Sequence, residues 1–143
     1  MKKIVTVFVS VITLLSVTVS LNAASLSYVL SSSHHDYYSS NIRVKDYNEK
    51  WYVYVTEVSF SGMASGAHPA GYEIYFRPYQ NTTPVTPLYA TFTYKSSGSA
   101  NIGHTGISLP YTSGYGQYND IYRIKSNSNN YSKNQTVTAN WTP

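Results

Sequence analysis

Short segments in which apolar and polar residues alternate one by one place the strongest constraint on how this chain can fold. The clearest segment runs from Trp51 to Phe60 and begins with Trp51, Val53 and Val55 alternating with tyrosine and threonine. Successive side chains of a β-strand point to opposite faces, so this period of two is typical of a strand with one buried face. We predict further strands over residues 42–45, 72–77, 88–94, 107–109, 120–126 and 136–141.

These strands predict an all-β fold, because strong helix formers are rare beyond residue 24. Strands that are joined by turns, without crossover helices, pair mostly antiparallel. A single sheet would leave its apolar face in water, so we expect an antiparallel two-sheet β-sandwich of about six to eight strands. The predicted core consists of Trp51, Val53, Val55, Ile74, Phe76, Phe92, Ile124, Val137 and Trp141.

The alternation changes phase once, after Glu57, where Val58 and Phe60 take over as the apolar positions. A strand cannot change phase without an extra residue, so we predict a β-bulge near Thr56–Glu57. An inward Glu57 would have its pKa raised by burial. We expect instead that the bulge turns Glu57 outward, since an unpaired buried charge is costly.

The first 23 residues have the layout of a secretory signal peptide. Lys2 and Lys3 precede an uncharged apolar run, Ile4–Leu21, and small residues follow it. We expect cleavage after Ala23 and a secreted, extracellular protein; an uncleaved membrane anchor is the alternative. Residues 24–40 are then predicted to be a flexible arm or an edge strand, and residues 41–143 a single β-sandwich domain.

Composition excludes several classes of function. The chain has no cysteine, so disulfides, thiol catalysis and thiolate metal sites are ruled out. Its net charge is +4, which falls to +2 once Lys2 and Lys3 are removed with the leader. With no basic block in the sequence, we expect no nucleic-acid partner. No membrane span is expected after cleavage.

Candidate catalytic and metal-binding residues are few. His34, His35 and Asp36 could bind a metal together with His68 or His104, but their spacing matches no established ligand pattern. We interpret them as part of a polar arm and expect no metal or cofactor. No Gly-x-Ser-x-Gly motif marks a nucleophile, and no carboxylate pair is evident. We therefore predict that the protein is not an enzyme.

Tyrosine is the most conspicuous residue type, with sixteen copies that all lie beyond residue 24. An aromatic ring with a polar tip suits contact with sugars, cell-wall polymers or proteins. The alternative is that strand tyrosines only stabilise cross-strand pairs. The candidate binding residues are Tyr52, Tyr54 and Tyr75 on outer strand faces and Tyr111, Tyr115 and Tyr118 in a glycine-rich loop. Tyr79 is also predicted to lie in a loop.

Several strand motifs beyond Lys50 resemble those of known exported proteins. They are Trp51-x-Val53-x-Val55, Ser59-x-Ser61-Gly62, Tyr122-Arg123-Ile124-Lys125-Ser126, Asn130-Tyr131-Ser132 and Val137-x-x-x-Trp141-x-Pro143. In these motifs the chain resembles a family of small secreted proteins of Gram-positive bacteria, described only as a domain of unknown function. The resemblance implies a tryptophan-anchored β-fold and export, but no particular activity.

A second resemblance concerns the segment from Ser33 to Ser39, which is rich in serine, tyrosine and histidine. It is similar to a region of the lactococcin-type bacteriocins, which are also short, exported, cysteine-free β-sandwiches. The sequence therefore supports two hypotheses. The first is a secreted, non-catalytic binding or structural protein whose partners are cell-wall glycan, envelope or matrix components. The alternative is an exported, bacteriocin-like antimicrobial protein.

Overall fold

The computed structural model describes residues 23–45, 47–63, 67–94, 98–99, 106–130 and 132–143. Within these ranges every regular element is a β-strand and there is no helix, which confirms the predicted fold class. Seven strands have four or more residues: β1 Ala24–Leu30, β4 Lys50–Phe60, β6 Tyr72–Gln80, β8 Ala90–Tyr94, β10 Ile107–Pro110, β11 Ile121–Ser128 and β12 Gln135–Thr142. Five have two residues: β2 Tyr37–Tyr38, β3 Ile42–Arg43, β5 Ala67–His68, β7 Thr83–Pro84 and β9 Gly98–Ser99. Residues 1–22 of the predicted leader lie outside the described ranges.

The strands form two antiparallel sheets. The four-stranded sheet has the order β1-β12-β4-β10. The six-stranded sheet has the order β2-β11-β6-β7, with β3 also paired to β11 and β8 also paired to β6. The short strands β5 and β9 pair with each other. This arrangement confirms the predicted antiparallel two-sheet sandwich.

The core lies between the two sheets, where the inward residues of each alternating strand meet. All nine predicted core residues are buried. Trp51 and Trp141 are the largest side chains with no exposed surface. Burying an aromatic side chain of this size removes about 200 Å² from water, which stabilises the fold by about 5 kcal/mol before entropy is counted.

Two tyrosine hydroxyls cross this core and join the sheets. Tyr28 of the four-stranded sheet donates to Ser126 Oγ on β11 at 2.5 Å. Tyr72 of the six-stranded sheet donates to Gln135 Oε1 on β12, also at 2.5 Å. All four residues are buried. These bonds satisfy polar groups that would be costly to leave unpaired in the interior.

The predicted bulge is present in β4. Its partner strand β12 places Thr138 opposite Glu57 and Ala139 opposite Val55, so Thr56 is the extra residue. Thr56 and Glu57 are both exposed, whereas Val55 and Val58 are buried. The outward orientation of Glu57 is therefore confirmed.

Two predictions around Pro78 are wrong. The strand predicted over residues 72–77 continues through Pro78 to Gln80 and so includes Tyr79, which was predicted to lie in a loop. The carbonyl of Pro78 accepts from Val85 N. The nitrogen of Pro78, which carries no hydrogen, points to this same side of the strand, where the pairing with β8 has already ended, so no ladder bond to β8 is lost. The strand predicted over residues 88–94 begins only at Ala90, and Leu88 precedes it and is 60% exposed.

The segment after the predicted cleavage site forms an edge strand. Residues Ala24–Leu30 pair with β12 along seven positions, and Leu26, Tyr28 and Leu30 point into the core. A turn closed by hydrogen bonds between Ser31 and His34 follows. The chain then enters the six-stranded sheet through β2, so this segment connects the two layers.

Candidate functional site

The predicted candidate tyrosines occupy three separate places in the fold. Tyr52 and Tyr54 lie on the outer face of the four-stranded sheet, whereas Tyr75 lies on the outer face of the six-stranded sheet. Tyr111, Tyr115 and Tyr118 belong to the loop between β10 and β11. The outer faces of two packed sheets point away from each other, so these residues do not form one contact surface.

On the four-stranded sheet, Tyr52 has a local packing role. It is 41% exposed, yet its ring lies so close to Gly106 that a Cβ there would fall 1.8 Å from the Tyr52 hydroxyl oxygen. Its strand neighbours are Ser108 and Thr142, and Tyr54 is opposite Asn140. Lys50 lies two residues before Tyr52 on the same exposed face, and the cross-strand neighbours carry hydroxyl or amide groups.

In the loop, the expectation of exposed tyrosines is wrong for Tyr111. Tyr111 is only 9% exposed, because its ring packs on Tyr122 at a centroid distance of 5.4 Å. Gly116 makes this possible, since a Cβ there would lie 2.8 Å from the Tyr111 ring. Tyr115 is half-buried, and Tyr118 is 66% exposed. Only Tyr118 therefore has the accessibility expected of the loop.

The same loop is held in one conformation by Tyr122 at the start of β11. Gly116 N donates to the Tyr122 hydroxyl at 2.6 Å, and this hydroxyl donates to the Asp120 carboxylate. Asp120 also accepts from Gln117 N at 3.0 Å. A tyrosine that bonds a backbone group a few residues upstream is a known device of β-sandwich corners. We interpret the loop as a rigid connection that serves mainly the fold.

The outer face of the six-stranded sheet brings exposed tyrosine rings and cationic side chains into contact. The structure confirms that Tyr75 points outward, and it places Arg77, Arg123 and Lys125 on the same face. It adds tyrosines that sequence analysis did not assign to any site. We call the combined set the cationic tyrosine face: Tyr38, Tyr75, Tyr79, Tyr89, Arg77, Arg123 and Lys125.

Three cations of this face lie against tyrosine rings. The guanidinium carbon of Arg123 is 4.5 Å from the centroid of the Tyr38 ring, and Lys125 Nζ is 5.6 Å from the same centroid. Arg77 lies 4.9 Å above the Tyr89 ring. Such distances allow attraction between a cation and the ring quadrupole. Tyr38 and Tyr89 nevertheless remain 41% exposed each.

The positive charge of the two arginines is not neutralised within the part of the chain that the structure describes. Arg77 donates through Nε and Nη2 to the carbonyl of Thr86, at 3.0 and 2.6 Å. Arg123 donates in the same way to the carbonyl of Asn81. No carboxylate of the described residues forms an ion pair with either guanidinium. The arginines therefore fix the loop between β6 and β8 and keep their full charge.

Lys125 differs, since its Nζ lies 2.8 Å from Asp36 Oδ2. Partial burial disfavours the charged form of Lys125, but the hydrogen bond and charge of Asp36 outweigh it and raise the Lys125 pKa. The other carboxylate on the face, Glu73, accepts from the Tyr75 hydroxyl at 2.5 Å and from Thr93 at 3.2 Å. The cationic tyrosine face thus carries three cations and two carboxylates. Asp36 is already paired with Lys125, and Glu73 already accepts two hydrogen bonds.

The phenols of Tyr79 and Tyr89 affect each other's acidity. Burial raises the pKa of Tyr79, and its interaction with Tyr89 adds to this rise. Burial also disfavours the charged form of Tyr89, but the interactions with Tyr79 and Arg77 outweigh it and lower the Tyr89 pKa.

A pocket of about 220 Å³ opens on this face between Tyr75, Tyr89 and Asn127. The two rings form its walls, 6.3 Å apart and nearly perpendicular. Asn127 lies directly opposite Tyr75 in the sheet. The Oδ1 atom of Asn127 is buried and has no hydrogen-bond partner among the described residues. The pocket thus offers two aromatic walls and an unused acceptor.

The histidines considered as metal ligands do not converge. His34 and His35 lie in the exposed turn before β2, where their ring nitrogens bond Ser33 and the Ser32 carbonyl. His68 is buried against Tyr94. Among the described residues there is no group of three or more metal-ligating side chains. His104 lies outside those residues.

Sequence reasoning missed Tyr38, Tyr79 and Tyr89 as members of a common face. The alternation in β6 and β11 predicted which cations point outward, but Tyr38 and Tyr89 lie in a two-residue strand and a loop. Their positions depend on pairing between distant segments. The one available sequence signal was the alternation of arginine and lysine with apolar residues in these two strands, because exposed aromatic rings can pack on outward cations.

Comparison with the sequence models of known protein families found no match, and a search of curated proteins found no similar sequence. Within the described ranges, no helix is long and apolar enough to cross a membrane.

Proposed function

We propose that this chain is a secreted, non-catalytic binding protein that contacts a cell-envelope or extracellular polymer through the cationic tyrosine face. The observation that carries the proposal is the set of three cation–ring contacts, at 4.5 to 5.6 Å, on a solvent-facing sheet. Exposed tyrosines supply contact area at low entropy cost, and unpaired guanidinium groups supply charge.

Export is supported by the leader pattern of residues 1–23. The first strand, β1, begins at Ala24, directly after the predicted cleavage position. Removal of the leader would therefore leave in place all twelve strands of the described residues. A cysteine-free core of this kind needs no oxidative step after export.

A binding role is favoured over catalysis by the state of the carboxylates on this face. Glu73 is engaged by Tyr75 and Thr93, and Asp36 is paired with Lys125. General acid–base chemistry requires a group that is within reach of a substrate and free to exchange a proton. The arrangement therefore suits recognition of a polymer whose chemistry it leaves unchanged.

The proposal is tested by co-sedimentation of the purified mature protein with isolated Gram-positive cell walls. The double variant Tyr38→Ala and Tyr89→Ala is expected to lower retention at least tenfold, and retention of the wild type should fall as salt is raised. Tyr52→Ala is the matched control, because Tyr52 has the same exposure on the opposite sheet. The control should bind like the wild type.

Other results would contradict the proposal. Absence of binding to any envelope fraction would refute it, as would an equal loss in the Tyr52→Ala control. If Tyr115→Ala with Tyr118→Ala abolished binding while the double variant kept it, the loop would be the contact surface. Growth inhibition of related bacteria that is unaffected by the double variant would favour the antimicrobial alternative.

A further inference from the structure

The pocket between Tyr75, Tyr89 and Asn127 lies on the cationic tyrosine face and has features of its own. Its volume of about 220 Å³ is smaller than the roughly 300 Å³ at which pockets for drug-sized ligands begin. It therefore suits one small ring that belongs to a longer chain passing over the face. A sugar unit of a polysaccharide meets this description.

The two aromatic walls are held before any ligand arrives. The Tyr75 hydroxyl donates to Glu73, and Glu73 accepts in turn from Thr93. Arg77 lies 4.9 Å above the Tyr89 ring, and the Tyr75 and Tyr89 rings pack nearly perpendicular with their centroids 6.3 Å apart. Rings that are already ordered lose little conformational entropy on binding. Their faces can pack on the apolar C–H side of a pyranose ring.

The floor of the pocket supplies polar recognition. Asn127 Oδ1 is buried and lacks a hydrogen-bond partner among the described residues. A buried acceptor without a partner is uncommon in proteins and usually has an explanation. A hydroxyl group of a bound sugar would satisfy it.

The charges beside the pocket favour an acidic sugar over a neutral one. Lys125 and Arg77 are direct cross-strand partners. Lys125 lies two residues before Asn127 on β11, and Arg77 lies two residues after Tyr75 on β6. Lys125 is paired with Asp36, but Arg77 forms no ion pair with a described carboxylate. One uncompensated cation matches the single charge of a carboxylate better than the −1.5 to −2 of a phosphate monoester. An internal phosphate unit of a polymer carries one charge, like a carboxylate, so polyphosphate is the probe that separates the two.

We propose that this pocket is a subsite for a carboxylate-bearing sugar of an acidic polysaccharide, with Tyr75 and Tyr89 against the ring, Asn127 bonded to a hydroxyl group and Arg77 facing the carboxylate. The inference rests on the proposed polymer-binding function and names the class of polymer.

The test is an NMR and calorimetric titration of the mature protein with a galacturonic acid tetramer, a neutral maltotetraose and inorganic polyphosphate. The acidic tetramer should bind at least tenfold more tightly than either other probe. Its shifts should centre on the Asn127 side-chain amide and on the Tyr75 and Tyr89 rings. Tyr89→Ala should weaken binding of both tetramers, whereas Arg77→Gln should remove the preference for the acidic one.

Arg77 also bonds the Thr86 carbonyl, so Arg77→Lys serves as a second variant that keeps the charge and should retain the preference. Equal affinity for both tetramers, or stronger binding of polyphosphate, would overturn the acidic-sugar subsite and leave polymer binding intact. Shifts confined to the Tyr118 loop or to the Tyr52 face would also overturn it. If the wild-type protein were not retained by cell walls at all, the proposed function itself would be refuted.

Discussion

A tyrosine in a protein core needs a partner for its hydroxyl group, and Tyr28 finds it in the opposite sheet. Its donor bond to Ser126 joins residues 98 positions apart in the chain. Stacking of the Tyr28 and Tyr37 rings at 4.0 Å fixes the ring that carries this hydroxyl. In a domain without disulfides, such bonds help to specify how one sheet sits on the other.

This bond can be measured by a double-mutant cycle. Ser126→Ala is expected to lower the free energy of unfolding by about 1–3 kcal/mol, because it leaves the buried Tyr28 hydroxyl without its acceptor. Adding Tyr28→Phe should recover part of this loss, since it removes the unpaired group. Urea unfolding followed by tryptophan fluorescence gives the four values. Effects that add within about 0.3 kcal/mol would show that the pair is not coupled.

At the level of single elements, β4 shows how one extra residue keeps the apolar side chains of a whole strand directed toward the core. Thr56 has no opposite residue in β12, and its hydroxyl donates to the Thr138 carbonyl at 3.0 Å. The extra residue lets Val55 and Val58 both point inward although they are three positions apart. Without it, one half of the strand would present its apolar side chains to solvent.

Deletion of Thr56 is therefore expected to be tolerated, because Val55, Glu57 and Val58 would then alternate regularly. Deletion of Tyr54 is the control: it also removes one outward residue of β4, but it turns Val55 outward and Thr56 inward if the strand alternates regularly, or Trp51 and Val53 outward if the bulge is kept. We expect the Thr56 deletion to keep a cooperative thermal transition and the Tyr54 deletion to lose it. Circular dichroism melting distinguishes them, and equal loss in both would contradict the role given to the bulge.

The same strands show what the sequence predicts and what it does not. The bulge and the facing of Phe76 were predictable, because strand periodicity is a local property. For residues 24–40 the sequence supports either a flexible arm or an edge strand, and the pairing of Ala24–Leu30 with β12, a contact between distant segments, decides for the strand. The pocket at Asn127 was not predictable, since it forms where β6, β11 and the segment before β8 meet.

At the scale of the whole molecule, the sandwich buries several tyrosines whose phenols ionise at higher pH than a free phenol does. Burial raises the pKa of Tyr28, Tyr94, Tyr111 and Tyr122 above the ordinary value of 10. On the outer face burial also raises the pKa of Tyr79, whereas for Tyr89 the interactions with Tyr79 and Arg77 outweigh burial and lower the pKa. The interior therefore retains phenol protons that the unfolded chain releases near pH 10.

This difference predicts alkaline unfolding. A phenol whose pKa is raised in the folded state stabilises the fold fully below pH 10, and its contribution is lost as pH rises toward the folded pKa. Above pH 10 each such tyrosine should lower the free energy of unfolding by about 1.4 kcal/mol per pH unit.

Tyr111 allows a direct test, because its buried hydroxyl has no hydrogen-bond partner among the described residues. Tyr111→Phe should leave stability at pH 7 nearly unchanged and reduce the alkaline slope by one proton. Urea midpoints measured between pH 7 and 11 give the slope of stability against pH for the wild type and for the variant. If the two slopes coincide, the Tyr111 phenol does not stay protonated in the folded protein, and burial of tyrosines in the core does not explain the pH dependence.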